Sequence, residues 1–237
     1  MDQANKITNQ ILDEIESSVK EGITTQSLDD LAEDLIKKYQ VISAFKGYRG
    51  FPKNVCISIN EEIVHGLPSE RIIKNGDLVS VDFGVLYKDF YGDAARTFIV
   101  GQISTEVKKL VEETKKALFA GIEQMRVGNR LWDICGAIEQ VAKNNKYGIV
   151  RGMGGHGVNE VLHAEPFVPN YINKNIQNVR LRNGMVLAIE PMFILGKNEN
   201  IKTLDDGWTV VSSVGALSAH WEYSVAIVNG SSKILGI

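Results

Sequence analysis

Cysteine is nearly absent from this chain. Cys56 and Cys135 are the only two in 237 residues, too few for a disulfide framework or a cysteine-based zinc site. Charge of one sign is scarce as well: 26 Lys and Arg face 29 Asp and Glu, a net charge of −3, with no basic block. That balance argues against nucleic acid as a principal partner. No apolar run is long enough for a bilayer, since the greasiest stretch, Met185 to Leu195, is interrupted by Glu190. The opening residues Met1-Asp2-Gln3-Ala4-Asn5-Lys6 lack the apolar segment of a secretory signal. The expectation is a soluble, cytoplasmic protein with reduced thiols and no membrane partner. No low-complexity linker divides it, and a composition of 44% hydrophobic and 23% charged residues excludes disorder, collagen and coiled coil.

Apolar side chains at helical spacing mark the elements. Ile7, Ile11, Ile15 and Val19, widened by Leu12, form one stripe that ends before Gly22. Ser27-Leu28-Asp29-Asp30 resembles a capping box and predicts a second helix with Leu28, Leu31, Leu35 and Tyr39 inward. Val41 to Val100 reads as short strands punctuated by Gly, Pro and Asn. Two further helices are predicted, from Thr105 to about Val127 and from Leu131 to about Asn144, and strands with glycine-rich turns return from Tyr147. This order of helices, strands, helices, strands suits an α+β domain of two similar halves. An internal echo supports it: Lys74-Asn75-Gly76-Asp77-Leu78-Val79-Ser80-Val81-Asp82 lies over Arg182-Asn183-Gly184-Met185-Val186-Leu187-Ala188-Ile189-Glu190 without a gap. Turn-plus-strand segments often look alike, but that does not explain an acid closing both. A carboxylate at the end of a buried strand is costly unless its charge is compensated.

More acids share that setting. Asp82 and Asp93 flank a predicted hairpin, Leu78–Val85 and Asp89–Val100. A turn centred on Tyr87-Lys88 would set the two carboxylates opposite one another, with Cβ atoms about 4.5–5.5 Å apart. Then either one is protonated or a cation lies between them; a displaced turn would leave both exposed. Glu190 and Glu222 each interrupt strand residues that are otherwise apolar, and taken singly each could be a strand-edge charge. Of four histidines, His156 and His163 fall in Gly152-Met153-Gly154-Gly155-His156-Gly157-Val158-Asn159-Glu160-Val161-Leu162-His163. Glycine on both sides of His156 would let the backbone approach whatever the imidazole binds. Four ionised carboxylates carry a charge that two divalent cations would balance; without cations, burial would force protonation or exposure. Oxygen donors with one imidazole favour Mn, Fe, Co or Zn over a thiolate-type site, the machinery of metal-assisted hydrolysis.

At this point the chain resembles the type I methionine aminopeptidases. The likeness runs from Gly47-Tyr48-Arg49-Gly50-Phe51-Pro52-Lys53-Asn54-Val55-Cys56-Ile57-Ser58-Ile59-Asn60-Glu61 and Val64-His65-Gly66-Leu67-Pro68 through Val81-Asp82-Phe83-Gly84, Gly92-Asp93-Ala94 and the His156 loop. It ends with Ile189-Glu190-Pro191, Asp206-Gly207-Trp208 and Trp221-Glu222. A short gap between His163 and Glu190, and no cysteine-rich N-terminal extension, resemble the compact bacterial form. The resemblance implies the pita-bread fold of the creatinase and aminopeptidase families: two pseudo-symmetric halves, a curved antiparallel sheet and flanking helices. It implies one catalytic domain over residues 1–237, with N-terminal helices over 1–40.

The implied activity is removal of the initiator methionine from nascent proteins when the second residue is small. The implied cofactors are two divalent ions, of Co, Mn, Fe, Zn or Ni. Asp82 would chelate one; Asp93 and Glu222 would bridge both; His156 and Glu190 would complete the second. Glu190 would also shuttle a proton, His163 would donate to the scissile carbonyl oxygen, and His65 would contact the peptide nitrogen beyond that bond. Tyr48, Phe51, Cys56 and Trp208 match the pocket for the methionine side chain. The implied partners are nascent N-termini, met with transient ribosome contact by a monomer. Three departures touch this pattern: Leu162 where an aromatic is usual, loosening the pocket wall; Tyr223 in place of a histidine, altering a partner of Glu222; and Asn159-Glu160 in a loop commonly bearing Gly and Arg. Two alternatives stand beside it. A proline-directed peptidase of this fold usually carries a large N-terminal domain, and a catalytically dead binding module typically loses metal ligands.

Overall fold

The apolar stripes fold as their spacing predicts. In the computed structural model, which describes residues 1–237, helix α1 (Asp2–Ser18) buries Ile7, Ile11, Leu12 and Ile15. Helix α2 (Thr25–Tyr39) buries Leu28 and Leu35. Its start differs from the expected one: Thr24, not Ser27, is the cap, its hydroxyl accepting from the Ser27 N–H at 3.1 Å. The reason is tertiary. The Thr25 N–H donates to the Arg71 carbonyl and the Thr25 hydroxyl to the Ser69 carbonyl, both at 2.9 Å, which fixes the chain where the helix begins. Helix α3 (Thr105–Glu123) is capped by Ser104 and stops short of Val127, whose N–H instead donates to the Gly230 carbonyl at 3.0 Å. In α4 (Leu131–Asn145) the Asp133 carboxylate accepts from the Arg130 N–H at 2.7 Å, closing the first turn.

A nine-stranded sheet joins the halves. Its strands are β1 (Ile42–Ser43), β2 (Cys56–Ile59), β3 (Leu78–Tyr87), β4 (Phe90–Ile99), β5 (Gly154–Gly157), β6 (Ala164–Pro169), β7 (Val186–Ile189), β8 (Glu222–Val228) and β9 (Ser231–Ile234). The spatial order is β1-β3-β4-β8-β7-β5-β6, with β2 also on β3 and β9 on β8, all antiparallel. Strands β4 and β8 meet in the middle, flanked by β3 and β7. Helix α1 packs on β3 and β4, α3 on β7 and β8, and each leans on its helical neighbour. This is the pita-bread arrangement of two pseudo-symmetric halves, and the internal echo is its sequence trace. Gly76 and Gly184 hold the same left-handed turn, at φ 92° and 84°, before β3 and β7; Asp82 lies within β3, which continues to Tyr87, whereas Glu190 directly follows the end of β7. Two three-stranded sheets complete the fold, one of Gly148–Ile149, Met192–Ile194 and Ser218–His220, the other of Glu62–Val64, Ile201–Thr203 and Val210–Ser212.

The hairpin register differs from the expected one. The turn is Lys88-Asp89, both residues left-handed at φ 48° and 68°, as a two-residue hairpin turn requires. Asp93 therefore faces Gly84, and Asp82 faces Ala95. Moving the centre of a hairpin by one residue shifts each cross-strand partner by two, so the acids stay on one face as diagonal rather than direct neighbours.

Candidate metal centre and substrate pocket

Sheet register builds the centre. Cys56 pairs with Asp82, Asp82 with Ala95, and Ala95 with Glu222, one row of same-face positions across four strands. Tyr223 pairs with Ile189, so the same register continued by one residue brings Glu190 across from Glu222. Ala95 is the smallest member of the row, and its short side chain leaves open space between Asp82 and Glu222. Asp93 enters that space from two positions along β4, and His156 enters from β5. The nearest ligand atoms of Asp93, His156 and Glu222 lie within 4.8 Å of one another, as do those of Glu190, His220 and Glu222. His156 Nε2 is 3.8 Å from Asp93 Oδ2 and 3.5 Å from Glu190 Oε1.

The glycines around His156 have a packing reason rather than a ligand-approach one. A Cβ on Gly155 would run into the Ala188 carbonyl oxygen, and one on Gly157 into that of Glu165. The flat glycine strand lets β7 and β6 close in on both sides, which fixes the imidazole between them.

The chemistry of this donor set fits divalent cations. Asp93 and Glu222 are 3% and 2% exposed, and Asp82 Oδ1, Asp93 Oδ1 and Glu222 Oε1 are buried without a hydrogen-bond partner. Buried anionic oxygens without donors are costly unless a cation meets them. Burial, with the neighbouring acids, pushes Asp93 and Glu222 well above the usual carboxylate range. Burial likewise pushes Asp82 up to about 7, against an opposing pull from His220. Glu190 behaves differently: burial raises it, but His220, His156 and His163 outweigh that and hold it below its ordinary value.

A carboxyl with a raised native pKa keeps its proton in the folded state at pH values where the unfolded chain has lost it. Stability then falls as pH climbs from the unfolded value, about 4, through the native one. Protein stripped of metal by a chelator should therefore lose on the order of 5 °C in Tm between pH 5 and pH 8, and Mn²⁺ should restore most at pH 8. Scanning calorimetry checks this; a Tm of the stripped protein that rises over that interval would contradict it.

Beside the centre lies a cavity of about 480 Å³. All eleven side chains singled out in the sequence line it: Tyr48, Phe51, Cys56, His65, Asp82, Asp93, His156, His163, Glu190, Trp208 and Glu222. Phe51 and Trp208 meet edge to face at 5.2 Å, and Cys56, whose thiol burial raises well above its usual value, gives the wall a soft, uncharged sulfur. Such a wall suits a thioether. His163 sits at the mouth with Nδ1 2.9 Å from the Tyr48 hydroxyl and its ring 4.3 Å from that of His156. Desolvation in the cavity wall, with His156 beside it, lowers its pKa to about 4, so the ring is neutral at physiological pH. In the tautomer with the proton on Nε2, Nδ1 accepts from the Tyr48 hydroxyl and Nε2–H is left as a donor. His65 is held in a left-handed backbone at φ 59°, the kind of local strain that marks functional sites, and burial lowers its pKa.

The three departures sit away from the reacting atoms. Leu162 is 1% exposed and packs behind the wall with Phe45, Phe51 and Cys56. Tyr223 is not a partner of Glu222: alternation along β8 turns it to the helical face, 6.4 Å from the Phe119 ring. Asn159 braces its loop, its carbonyl accepting from the Tyr91 N–H at 2.9 Å. One side chain at the centre was not singled out by the sequence. His220 is 1% exposed with Nε2 3.6 Å from Glu190 Oε2; its signal was a place two residues before Glu222, on the same face of an alternating stretch.

Comparison with known proteins places this geometry in a family. The model of "Metallopeptidase family M24" matches residues 1–229. The methionine aminopeptidase of Clostridium acetobutylicum is 47% identical over 236 residues, covering 99% of this chain and 94% of that protein. Methionine aminopeptidase 1 of Bacillus subtilis is 43% identical with the same coverage. The crystal structure of the Rickettsia prowazekii methionine aminopeptidase superposes with a TM-score of 0.95 at 36% identity, covering 100% of this chain and 95% of that one. The Xaa-Pro dipeptidase of Bacillus anthracis, at 18% identity and a TM-score of 0.78, covers 99% of this chain but 59% of its own and shares the fold alone. Matched over nearly its whole length by both the family model and relatives above 40% identity, the chain belongs to metallopeptidase family M24, alongside the methionine aminopeptidases.

Proposed function

We propose that this protein hydrolyses the first peptide bond of chains that begin with methionine, releasing that residue when the second one is small. The reading rests above all on one observation: a buried carboxylate cluster with unpartnered oxygens shares a cavity with an aromatic and sulfur-lined wall. Asp82, Asp93, His156, Glu190 and Glu222 would hold two divalent ions, of Mn, Fe, Co, Zn or Ni. When bound, such ions neutralise the acids, supply a nucleophilic water at neutral pH and polarise a carbonyl.

The chain's own residues divide the remaining work. Glu190 takes a proton from the attacking water and returns it to the leaving amine. The Nε2–H of His163, in the tautomer whose Nδ1 accepts from the Tyr48 hydroxyl, donates to the scissile carbonyl oxygen as charge develops there. His65 contacts the nitrogen beyond the scissile bond. Tyr48, Phe51, Cys56 and Trp208 receive the methionine side chain. Residues 1–237 act as one catalytic domain, with the helices over 1–40 leading into its core. The substrates are nascent N-termini, met in passing at the ribosome by a cytoplasmic monomer without specific nucleic-acid contact; that no helix is long and apolar enough to cross a membrane is consistent with this.

Peptides decide the matter. Met-Ala-Ser should lose its methionine, chelator should suppress the release, Mn²⁺ should restore it, and Xaa-Pro peptides should stay intact. Methionine release that chelator leaves untouched would overturn the metal-dependent reading, and Xaa-Pro cleavage would favour a proline-directed enzyme.

A further inference from the structure

We propose that His220 is a positioning residue that fixes the outer oxygen of Glu190, opposite the oxygen that faces His156 and the metal site; this rests on the role of Glu190 proposed above. His156 Nε2 approaches Oε1 at 3.5 Å, and His220 Nε2 approaches Oε2 at 3.6 Å. His220 is 1% exposed and neither ring nitrogen has another partner. A buried imidazole without partners is costly, and Glu190 is the acceptor its Nε2 faces. Both separations exceed a hydrogen bond, but catalytic hydrogen bonds are commonly long before substrate binds and shorten afterwards.

The backbone of His220 is built for such a task. The Thr97 hydroxyl donates to the His220 carbonyl at 2.7 Å and accepts from the His220 N–H at 2.9 Å. With its own proton committed, Thr97 Oγ1 must also accept from the Ser80 hydroxyl, 2.8 Å away. Strand pairing of His220 with Met192 fixes the residue against the segment that follows Glu190. Glu190 itself is tied through its backbone, its carbonyl accepting from Asn170 Nδ2 at 3.0 Å. That leaves the side chain free to rotate about its last bonds unless something holds the far oxygen. A metal-facing oxygen on one side and a donor from a rigid strand on the other would hold the carboxylate plane in the orientation that proton transfer needs.

The test compares His220→Leu, which keeps volume and loses the donor, with His220→Gln, which keeps an N–H donor. Steady-state kinetics on Met-Ala-Ser at saturating Mn²⁺ are read together with Mn²⁺ affinity by calorimetry. His220→Leu should lower kcat on the order of 10–100-fold, with KM and Mn²⁺ affinity changed by less than about threefold, and His220→Gln should recover most of the loss. Should His220→Leu not fold, His220→Ala carries the same comparison. An unchanged kcat in the donorless variant overturns the proposal. So does a Gln variant as slow as the Leu one, and a tenfold or larger loss of Mn²⁺ affinity would make His220 a ligand instead. An unsubstituted protein that releases no methionine would fail the aminopeptidase reading itself, whereas an active one alongside a fully active His220→Leu fails this inference alone.

Discussion

Asp93→Asn is expected to lower kcat/KM by about 10³-fold or more, the loss of ~4 kcal/mol of transition-state stabilisation, and at the same time to make the metal-free protein more stable. Asn keeps the volume of Asp, so no cavity confounds the result. What it removes is a carboxyl that burial, Asp82 and Glu190 drive well above its ordinary range and whose Oδ1 has no donor. In a purely structural role the native residue would be the stabilising one. Here the native residue is strained by its neighbours and is relieved only by a cation, so the signs separate: Tm of the stripped variant rises, and the stabilisation gained from Mn²⁺ shrinks. Calorimetry with and without Mn²⁺, beside Met-Ala-Ser kinetics, measures both. Wild-type activity in Asp93→Asn, or a stripped variant less stable than its parent, would remove Asp93 from the centre.

How much of this could be read from the residues depends on the range of the interaction. Helical stripes are local, so Ile7, Ile11 and Ile15 or Leu28 and Leu35 declare themselves, while helix ends set by distant partners do not: Thr24 is chosen by Ser69 and Arg71, and the end of α3 by Gly230. The echo between Lys74–Asp82 and Arg182–Glu190 was legible because each half repeats the same turn chemistry. The hairpin register was not, since Lys88-Asp89 lacks the Asn-Gly signature of a tight turn. Asp82, Asp93, Glu190 and Glu222 stood out as acids among apolar strand residues and His156 by its flanking glycines, whereas the roles of His65, His163, Tyr48, Phe51, Cys56 and Trp208 came from a family likeness, and spacing alone would have assigned Phe51 and Trp208 to the core. His220 escaped because its partner, Glu190, is distant in sequence and across a different strand. The glycines flanking His156 were visible, but their cause, the Ala188 and Glu165 carbonyls, belongs to the packed sheet.

Glu190→Gln should lower kcat on the order of 10²–10⁴-fold at saturating Mn²⁺, while KM for Met-Ala-Ser stays within about threefold because Tyr48, Phe51, Cys56 and Trp208 are untouched. Four acids converge at the centre, and one of them is electrostatically suited to accept a proton. Asp82, Asp93 and Glu222 are all pushed toward the protonated form by burial and by one another. In the metal-free protein Glu190 feels the same burial, yet its hydrogen bond to His220 and the pull of the neighbouring imidazoles bring it below its ordinary value, so it is the one acid of the four that is not driven toward its protonated form. Gln preserves the shape and an oxygen donor but has no site for that proton. The acid-side limb of the kcat/KM profile, where the base becomes protonated, should therefore flatten in the variant, while the wild type loses activity as pH falls. Because His220 and His156 face opposite oxygens of the same carboxylate, the defect of His220→Leu should vanish in the Glu190→Gln background, the non-additivity expected of groups that act as a unit. Independent, multiplicative losses in the double variant would show that the imidazole and the carboxylate act separately.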